Sequence, residues 1–202
     1  MQERILATAD RLFYRQGIRA VGVDTIAAAI GISKRTLYNH FPSKDALVLA
    51  YLRRRFWRKP PSDAPAAEQI LGDFDRLERL FQSKEFRGCP FVNSVAELGE
   101  PGHETNKVAI AFKEERRLWF RELLTKLGVA DPDGLAMQLH LLVEGAIAAA
   151  LVRGDPKVAS AAREAARMLL MAAGVQISPA ASRSGKQRPK RLAPMRLRGR
   201  RA

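Results

Sequence analysis

Residues 22–47 read GVDTIAAAIGISKRTLYNHFPSKDAL and contain two short helical patterns separated by a three-residue turn, GIS. Apolar residues recur at helical spacing in the first pattern, and Gly31 follows where a helix commonly ends in a left-handed residue. Ser33 is a good N-cap for the second pattern, whose buried positions would be Leu37 and Phe41. This arrangement is typical of a helix-turn-helix, whose second helix enters the major groove of DNA.

Cations occupy helix starts at which an isolated helix would favour acids. Lys34 and Arg35 lie in the first turn of the second helix, where the helix dipole disfavours each by about 0.3–1 kcal/mol. A recognition helix gains from them, because both side chains can bond guanine in the major groove. Lys44, directly after the capping residue Ser43, repeats the pattern and predicts a phosphate contact. The alternative is that all three are ordinary solvated surface residues.

Helical periodicity also dominates the rest of the chain, and no alternating pattern is long enough to predict a sheet. We predict an all-α protein of about nine helices, with an N-terminal three-helix helix-turn-helix unit and a C-terminal helical body. A proline-rich segment, residues 59–65, separates them. The five helices of the body are predicted near residues 65–83, 89–98, 104–127, 133–152 and 156–173.

The net charge of +14 is unevenly distributed along the chain. Residues 1–59 hold 12 lysines and arginines against 4 acids, and residues 60–177 hold 14 against 17. Residues 178–202 hold 9 cations and no acid, with few large apolar residues, so we predict a disordered basic tail. A basic N-terminal unit attached to a near-neutral body is typical of a nucleic-acid reader with a second task.

Composition excludes several other classes. The single cysteine, Cys89, rules out an internal disulfide, and we expect neither a metal site nor a cofactor. The N-terminus lacks the apolar run of a signal peptide, and the longest apolar run, residues 145–152, falls far short of the ~20 residues that span a bilayer. We therefore expect a cytoplasmic protein with no membrane partner. No catalytic constellation stands out, so we predict that it is not an enzyme.

The run Ser33-Lys34-Arg35-Thr36-Leu37-Tyr38-Asn39-His40-Phe41-Pro42-Ser43-Lys44 closely resembles the DNA-binding domain of the TetR/AcrR family of bacterial transcriptional regulators. The resemblance covers roughly residues 1–55. It implies a DNA-binding domain at residues 1–59 and a ligand-binding and dimerisation domain at residues 60–177. It also implies a dimeric repressor that binds a palindromic operator and leaves DNA when a small molecule binds.

Carried over by position, the resemblance places Lys34 and Arg35 at base edges. It places Thr36, Tyr38, His40 and Lys44 mostly at phosphates. Arg35 departs from the small residue common at its position, which puts direct guanine contact in play. Tyr38 could instead pack partly on the core, and His40 could instead cap the end of its helix.

The body carries bulky apolar residues that could enclose a ligand, with Glu97, His140 and Glu144 as polar groups. Such a lining would suit an apolar or aromatic effector, whose identity the sequence does not give. The alternative for each residue is ordinary core, and His140 and Glu144, four apart on one helix, could simply bond each other. The predicted pocket residues are Phe74, Leu77, Phe81, Phe91, Val95, Phe112, Trp119, Phe120, His140 and Glu144.

Two further features of the body suggest function. Cys89, beside Arg87 at a predicted helix start, could be a thiol sensor, although a buried inert cysteine is the alternative. The last two helices, residues 133–152 and 156–173, are rich in small residues that let helices approach closely. We predict that they form a two-fold symmetric dimer interface; the alternative is that they only pack on the body.

A second interpretation keeps DNA as the partner and changes the mode of binding. The basic tail could coat DNA without sequence preference, because unpaired cations bind phosphates by counterion release. A specific regulator should lose operator preference when Lys34 and Arg35 become alanine, and keep it when residues 178–202 are removed.

Overall fold

The computed structural model describes residues 1–56, 59–100 and 102–177. Within those ranges the chain forms nine α-helices and no strand, which confirms the predicted all-α class. The predicted basic tail, residues 178–202, lies outside the described residues. The helices are α1 (Gln2–Gln16), α2 (Val23–Ile30), α3 (Lys34–His40), α4 (Lys44–Arg55), α5 (Ala66–Phe81), α6 (Pro90–Leu98), α7 (Glu104–Lys126), α8 (Pro132–Arg153) and α9 (Val158–Ala172).

Local chemistry fixes the boundaries of α2, α3 and α4 as predicted. Gly31 ends α2 in the left-handed region with φ 72°, and its N–H bonds back to α2 carbonyls. The Ser33 hydroxyl accepts a hydrogen bond from the Thr36 N–H at 3.1 Å, and so caps α3. Ser43 caps α4 in the same way, accepting from the Ala46 N–H at 3.0 Å.

The first four helices surround one apolar core. Leu37 of α3 and Leu47 of α4 are completely buried in it, together with side chains of α1 and α2. The same core extends to Cys89 and Phe91 at the start of α6 and to Ala109 of α7. The helix-turn-helix is therefore packed directly onto the body.

The body has a second core, formed by α5, α7, α8 and α9. Helix α7 packs along α8, while α9 packs against both α5 and α8. The bulky side chains Phe74, Phe120 and Leu139 fill its centre. The cavities of the protein lie around these two cores and between them.

Helix α8 is more apolar along its whole length than its longest uninterrupted apolar run, residues 145–152, indicates. It has 22 residues with a mean hydropathy of 1.8 over its most apolar window, and by length and composition alone it could cross a membrane. It is the one such helix in the described parts of the chain. A single helix of this kind is weak evidence of a membrane span, because core helices of soluble proteins pass the same test. Run length alone understates the apolar character of α8, because its small and bulky apolar residues are interleaved with a few polar ones.

Candidate nucleic-acid interface and ligand cavities

Helix α3 presents the predicted DNA-contacting side chains on its outer surface. Lys34, Arg35 and His40 are exposed, and Thr36 is half-buried. The Tyr38 ring is 39% exposed, so the side chain packs partly on the protein and leaves its remaining surface to solvent. Leu37, completely buried between them, anchors the helix to the core. A short helix held by one buried leucine therefore offers its polar side chains outward.

Lys34 already has a partner in this DNA-free structure. Its ammonium group donates a hydrogen bond to Asp24 of α2 at 3.0 Å, and that bond raises the pKa of Lys34. Both side chains are largely exposed, and exposed ion pairs contribute little because water and salt screen them. A base edge can therefore replace Asp24 at small cost.

Lys44 lies half-buried in the first turn of α4, next to the capping Ser43. The free N–H groups of a helix start and a nearby ammonium group both favour a phosphate. Asp45 follows in the same turn and partly offsets that charge. The position of Lys44 is compatible with the predicted contact to a DNA phosphate, which stays a prediction.

Polar contacts join the N-terminal helices to the loop before α6. The Tyr14 hydroxyl of α1 donates to the Gly88 carbonyl at 3.0 Å and accepts from the Arg87 N–H at 2.9 Å. Farther along, the carboxylate of Glu97 accepts from the Arg19 N–H at 2.8 Å. Glu97, predicted as a possible polar group of the ligand pocket, here holds the turn that follows α1 against α6.

Arg55, the last residue of α4, forms a second junction. Its guanidinium pairs with Asp10 of α1 and lies over the Tyr14 ring, 4.1 Å from the centroid. The hydrogen bond and the charge of Asp10 raise the pKa of Arg55 despite its partial burial. Such a paired and stacked guanidinium fixes α4 relative to α1.

A cavity of about 660 Å³, the largest of the three described below, lies between α6, α7 and α8. This volume is typical of a pocket for a drug-sized ligand. Three predicted pocket residues, Phe91, Val95 and His140, line it. Val92 and Ile110, which are among the bulky apolar residues of the body, line it as well. Sequence reasoning missed the rest of its wall, although spacing on α6 and α7 could have found much of it. The missed residues are Ala96, Asn106, Ala109, Lys113, Glu114, Arg117 and Met137.

Two smaller cavities lie nearer the N-terminal helices. One, of about 370 Å³, includes Leu77, Phe112 and Cys89 in its wall. The other, of about 290 Å³, is lined by Trp119 and Phe112 of α7 together with Lys59. Six of the ten predicted pocket residues thus line one or more of these three cavities, and Phe91 and Phe112 each line two of them.

Three of the predicted pocket residues are packed inside the body. Phe74, Phe81 and Phe120 belong to its apolar core, where neighbouring helices cover them. Helical periodicity identifies the inward face of each helix, but it does not distinguish a filled interior from a hollow one. For these aromatic side chains the alternative of ordinary core describes their surroundings.

A polar cluster lies beside the largest cavity. The Lys113 ammonium donates to Glu144 at 2.5 Å, while His140 Nε2 stays 4.0 Å from Glu144 Oε1, beyond hydrogen-bond distance. Glu144 therefore bonds Lys113 of the facing helix and not His140 of its own. Burial lowers the pKa of His140, so at neutral pH the ring is mainly uncharged. Within the described ranges no group of three or more metal-ligating side chains comes together.

Cys89 is buried at the N-cap position of α6. Its Sγ atom lies 3.4 Å from the Lys113 Nζ atom, which bonds Glu144 as well. The reactivity of Cys89 stays a prediction.

Apolar side chains on α8 and α9 remain exposed in the single chain. On α8 the positions of Leu141, Gly145, Ala148 and Val152 follow helical spacing on one face, and Val152 is 86% exposed. On α9, Met168 and Met171 are about half exposed or more. The exposed apolar surfaces of these two helices resemble an interface more than a solvated face.

Comparison with known proteins agrees with this geometry. Residues 5–51 match the family described as bacterial regulatory proteins, tetR family, and residues 104–172 match the tetracyclin repressor-like C-terminal domain. An HTH-type transcriptional regulator of Mycobacterium tuberculosis is 44% identical over 183 residues, spanning 76% of this chain and 91% of the relative.

Two solved structures are similar over nearly their whole length. A TetR-type regulator from Streptomyces avermitilis is 34% identical with a TM-score of 0.78, covering 87% of this chain and 98% of its own. A TetR-family regulator from Streptomyces coelicolor is 32% identical with a TM-score of 0.77, covering 85% and 94%.

A helix-turn-helix with outward-facing cations, packed on a helical body that contains cavities, defines a DNA-binding transcriptional regulator and not an enzyme. Both family matches and the two crystal structures extend that class to the whole fold. The chain belongs to the TetR family.

Proposed function

We propose that this protein is a dimeric repressor that binds a palindromic operator and is released by an apolar or aromatic small molecule. The observation that carries the proposal is a continuous line of packed aromatic rings from the largest cavity to the end of α4. In this proposal residues 1–59 contact DNA and residues 60–177 bind the effector and a second copy. Since DNA is the partner, we place the protein in the cytoplasm.

The DNA contacts follow from the outward face of α3. Lys34 and Arg35 would bond base edges, and a good bidentate pair with guanine contributes about 1–3 kcal/mol of discrimination. Thr36, Tyr38, His40 and Lys44 would bond phosphates, which fix the position of the helix but carry no sequence information. Specificity would therefore depend on two side chains and affinity on several.

Dimerisation would bury the exposed faces of α8 and α9. A second copy related by a two-fold axis would place these four helices together and set the distance between the two copies of α3. Gly145 favours this arrangement, because nothing lies within 4 Å of the position where a Cβ would project, and the missing side chain lets helices approach closely. A symmetric dimer matches an operator with two half-sites at least one helical turn apart.

The cavity is joined to α4 by three phenylalanines. Phe91 of the cavity wall stacks on Phe112, with ring centroids 3.9 Å apart. Phe56, which follows α4 directly, contacts both rings edge-on. Its ring centroid lies 5.3 Å from that of Phe112 and 6.2 Å from that of Phe91. A ligand that displaces Phe91 would therefore move the end of α4, whose other end carries Lys44. If the ligand binds the moved state more tightly, operator affinity falls by the same coupling factor.

Fluorescence anisotropy tests the DNA half of the proposal. An operator selected from random DNA with the full chain is compared with a scrambled duplex at physiological salt. We expect a preference of about 10³-fold or more that persists in a chain ending at Ile177. Equal binding of both duplexes that is lost on truncation would establish the DNA-coating mode instead.

The ligand half is tested by filling the cavity. Compounds are screened for loss of anisotropy, and the active one is then applied to Ile110→Trp, since Ile110 lines the cavity and is 67% exposed. The matched control is Ala111→Trp at the next, also exposed, position of α7. We expect the first variant to hold the operator at ligand concentrations that release the control. Release of both variants at the same concentration would locate the effector elsewhere.

A further inference from the structure

Lys59 is an unusual lysine. It follows α4 in the segment that leads to α5, yet only 14% of its side chain is exposed. Its ammonium group lies 2.8 Å from Asp73 of α5 and 3.0 Å from the centroid of the Trp119 ring of α7. Lysines are rarely buried to this degree, and the DNA-binding mechanism above does not use this one.

The charges around Lys59 come from two helices. From α5, the carboxylate of Asp73 favours the ammonium form, whereas Arg76 disfavours it. From α7, Arg116 also disfavours it, while the acids Glu115 and Glu122 line the neighbouring cavity. Burial is the largest effect, and together these influences lower the pKa of Lys59 to about 7.

Lys59 also lines a cavity of suitable size. The cavity measures about 290 Å³, and Trp119, Phe112 and Leu118 supply its apolar wall. This volume is at the lower end of the range for small-molecule sites, so it fits a small ring and not a long chain. A desolvated amine near other cations is the environment that activates lysine as a nucleophile.

We propose that Lys59 is a covalent capture site for small aromatic aldehydes. The Nζ lone pair forms a bond to the carbonyl carbon, and the carbonyl oxygen takes up a proton to give a carbinolamine. Loss of that oxygen as water leaves a C=N bond, so amine and aldehyde give imine and water with no oxidant. The protonated imine keeps the positive charge beside the Asp73 carboxylate, and the aromatic ring of the aldehyde lies against Trp119.

This site is separate from the cavity between α6, α7 and α8, and it does not depend on the proposed effector. Asp73 has a second carboxylate oxygen, Oδ2, that is buried without a hydrogen-bond partner. That oxygen is available to take the proton that the Lys59 ammonium group loses before the attack. It can return the proton when water leaves the carbinolamine, so the protonated imine forms with no net gain or loss of protons. The adduct would change the contacts of the segment that follows α4. Aldehyde capture would therefore act on α4, the helix on which the proposed effector also acts.

Reductive trapping tests the proposal directly on the full chain. The protein is incubated with benzaldehyde and cyanoborohydride at pH 7, digested, and mapped by mass spectrometry. We expect benzylation of Lys59 at least about tenfold faster than that of the exposed lysines, because a free lysine side chain, with a pKa of about 10.4, has very little neutral amine at pH 7. The built-in comparison is Lys113, whose side chain is 21% exposed, lines a cavity and bonds a carboxylate.

Two variants sharpen the result. Lys59→Arg keeps the positive charge and should remove the fast site, while Lys113→Arg should leave it unchanged. Fast labelling of Lys113 and not Lys59 would overturn the assignment, as would equal rates at Lys59 and the exposed lysines. The wild-type peptide map alone decides the matter if Lys59→Arg does not fold.

Discussion

The first four helices and the last five differ in how far their large apolar side chains are buried. In α1–α4 most large apolar side chains are buried or partly buried, and Tyr38 on α3 is the main exposed one after Met1. The described part of the body instead exposes Val92, Ile110, Leu141, Val152, Met168 and others. The N-terminal unit thus has a polar surface suited to DNA, whereas the body has apolar surfaces of the kind that bind ligands or partner chains. Polar side chains can select a partner by hydrogen bonds and charge, whereas apolar surfaces select it mainly by shape.

The largest effect is expected from placing a charge on the apolar face of α8. Ala148→Glu would bury one uncompensated carboxylate per copy in the proposed interface, and each such charge costs about 3–5 kcal/mol. We expect dimer affinity to fall by at least about a thousandfold in analytical ultracentrifugation. Ala130→Glu, in the exposed loop before α8, is the control and should leave the dimer intact. A dimer that tolerates both changes would exclude α8 from the interface.

The next effect concerns the polar face of α3. Replacing Lys34 and Arg35 together with alanine removes two base contacts of about 1–3 kcal/mol each, so operator preference should fall by about a hundredfold or more. The control removes two cations elsewhere, Lys107→Ala with Lys126→Ala, both exposed on α7. Anisotropy titrations at one salt concentration compare the two double variants. Equal losses would mean that total charge, and not α3, determines binding.

A smaller effect follows from the buried Lys59. Its pKa is about 7 in the folded protein and near 10.4 when unfolded, so between these values the unfolded chain binds the proton more strongly. The free energy of unfolding should therefore rise with pH from about 7 to 10, by an amount of the order of 2 kcal/mol. Urea denaturation of the wild type and of Lys59→Met across that range measures it. The variant should lack the rise, and parallel pH curves would show that Lys59 titrates normally.

The smallest effect tests whether the two regions differ in local helix chemistry. Ser33 caps α3, and Asp131 caps α8 by accepting from the Gly134 N–H at 2.9 Å. Alanine at either position should lower the free energy of unfolding by about 1 kcal/mol. Ser160→Ala, within α9, should change it by much less. A loss confined to Ser33→Ala would indicate that the caps of the body do not limit its stability.

The site in the N-terminal unit was largely predictable because its determinants are local. Ser33, Gly31 and Ser43 act on residues within four positions of themselves, so capping and turn chemistry place α3 without long-range information. Lys34 and Arg35 are then exposed because Leu37, on the opposite face, is buried. The Lys34–Asp24 pair was not anticipated, because it requires the crossing of α2 and α3.

The ligand site was only partly predictable for the opposite reason. Phe74, Phe91 and Phe120 have the same apolar character and helical spacing in the sequence, yet only Phe91 borders the largest cavity. Which inward face meets a void depends on how three helices cross, and that information is spread over the whole chain. Lys113 illustrates the same point, because its contacts with Cys89 and Glu144 join α7 to α6 and α8.

By itself the sequence determined the all-α class, the positions of the helices and the helix-turn-helix, because periodicity, caps and breakers act over a few residues. Only the tertiary structure decided where the cavities lie, which aromatic rings reach α4, and that Lys59 is buried between Asp73 and Trp119. Those features depend on contacts between residues far apart in the chain, whose geometry is set when the helices pack together.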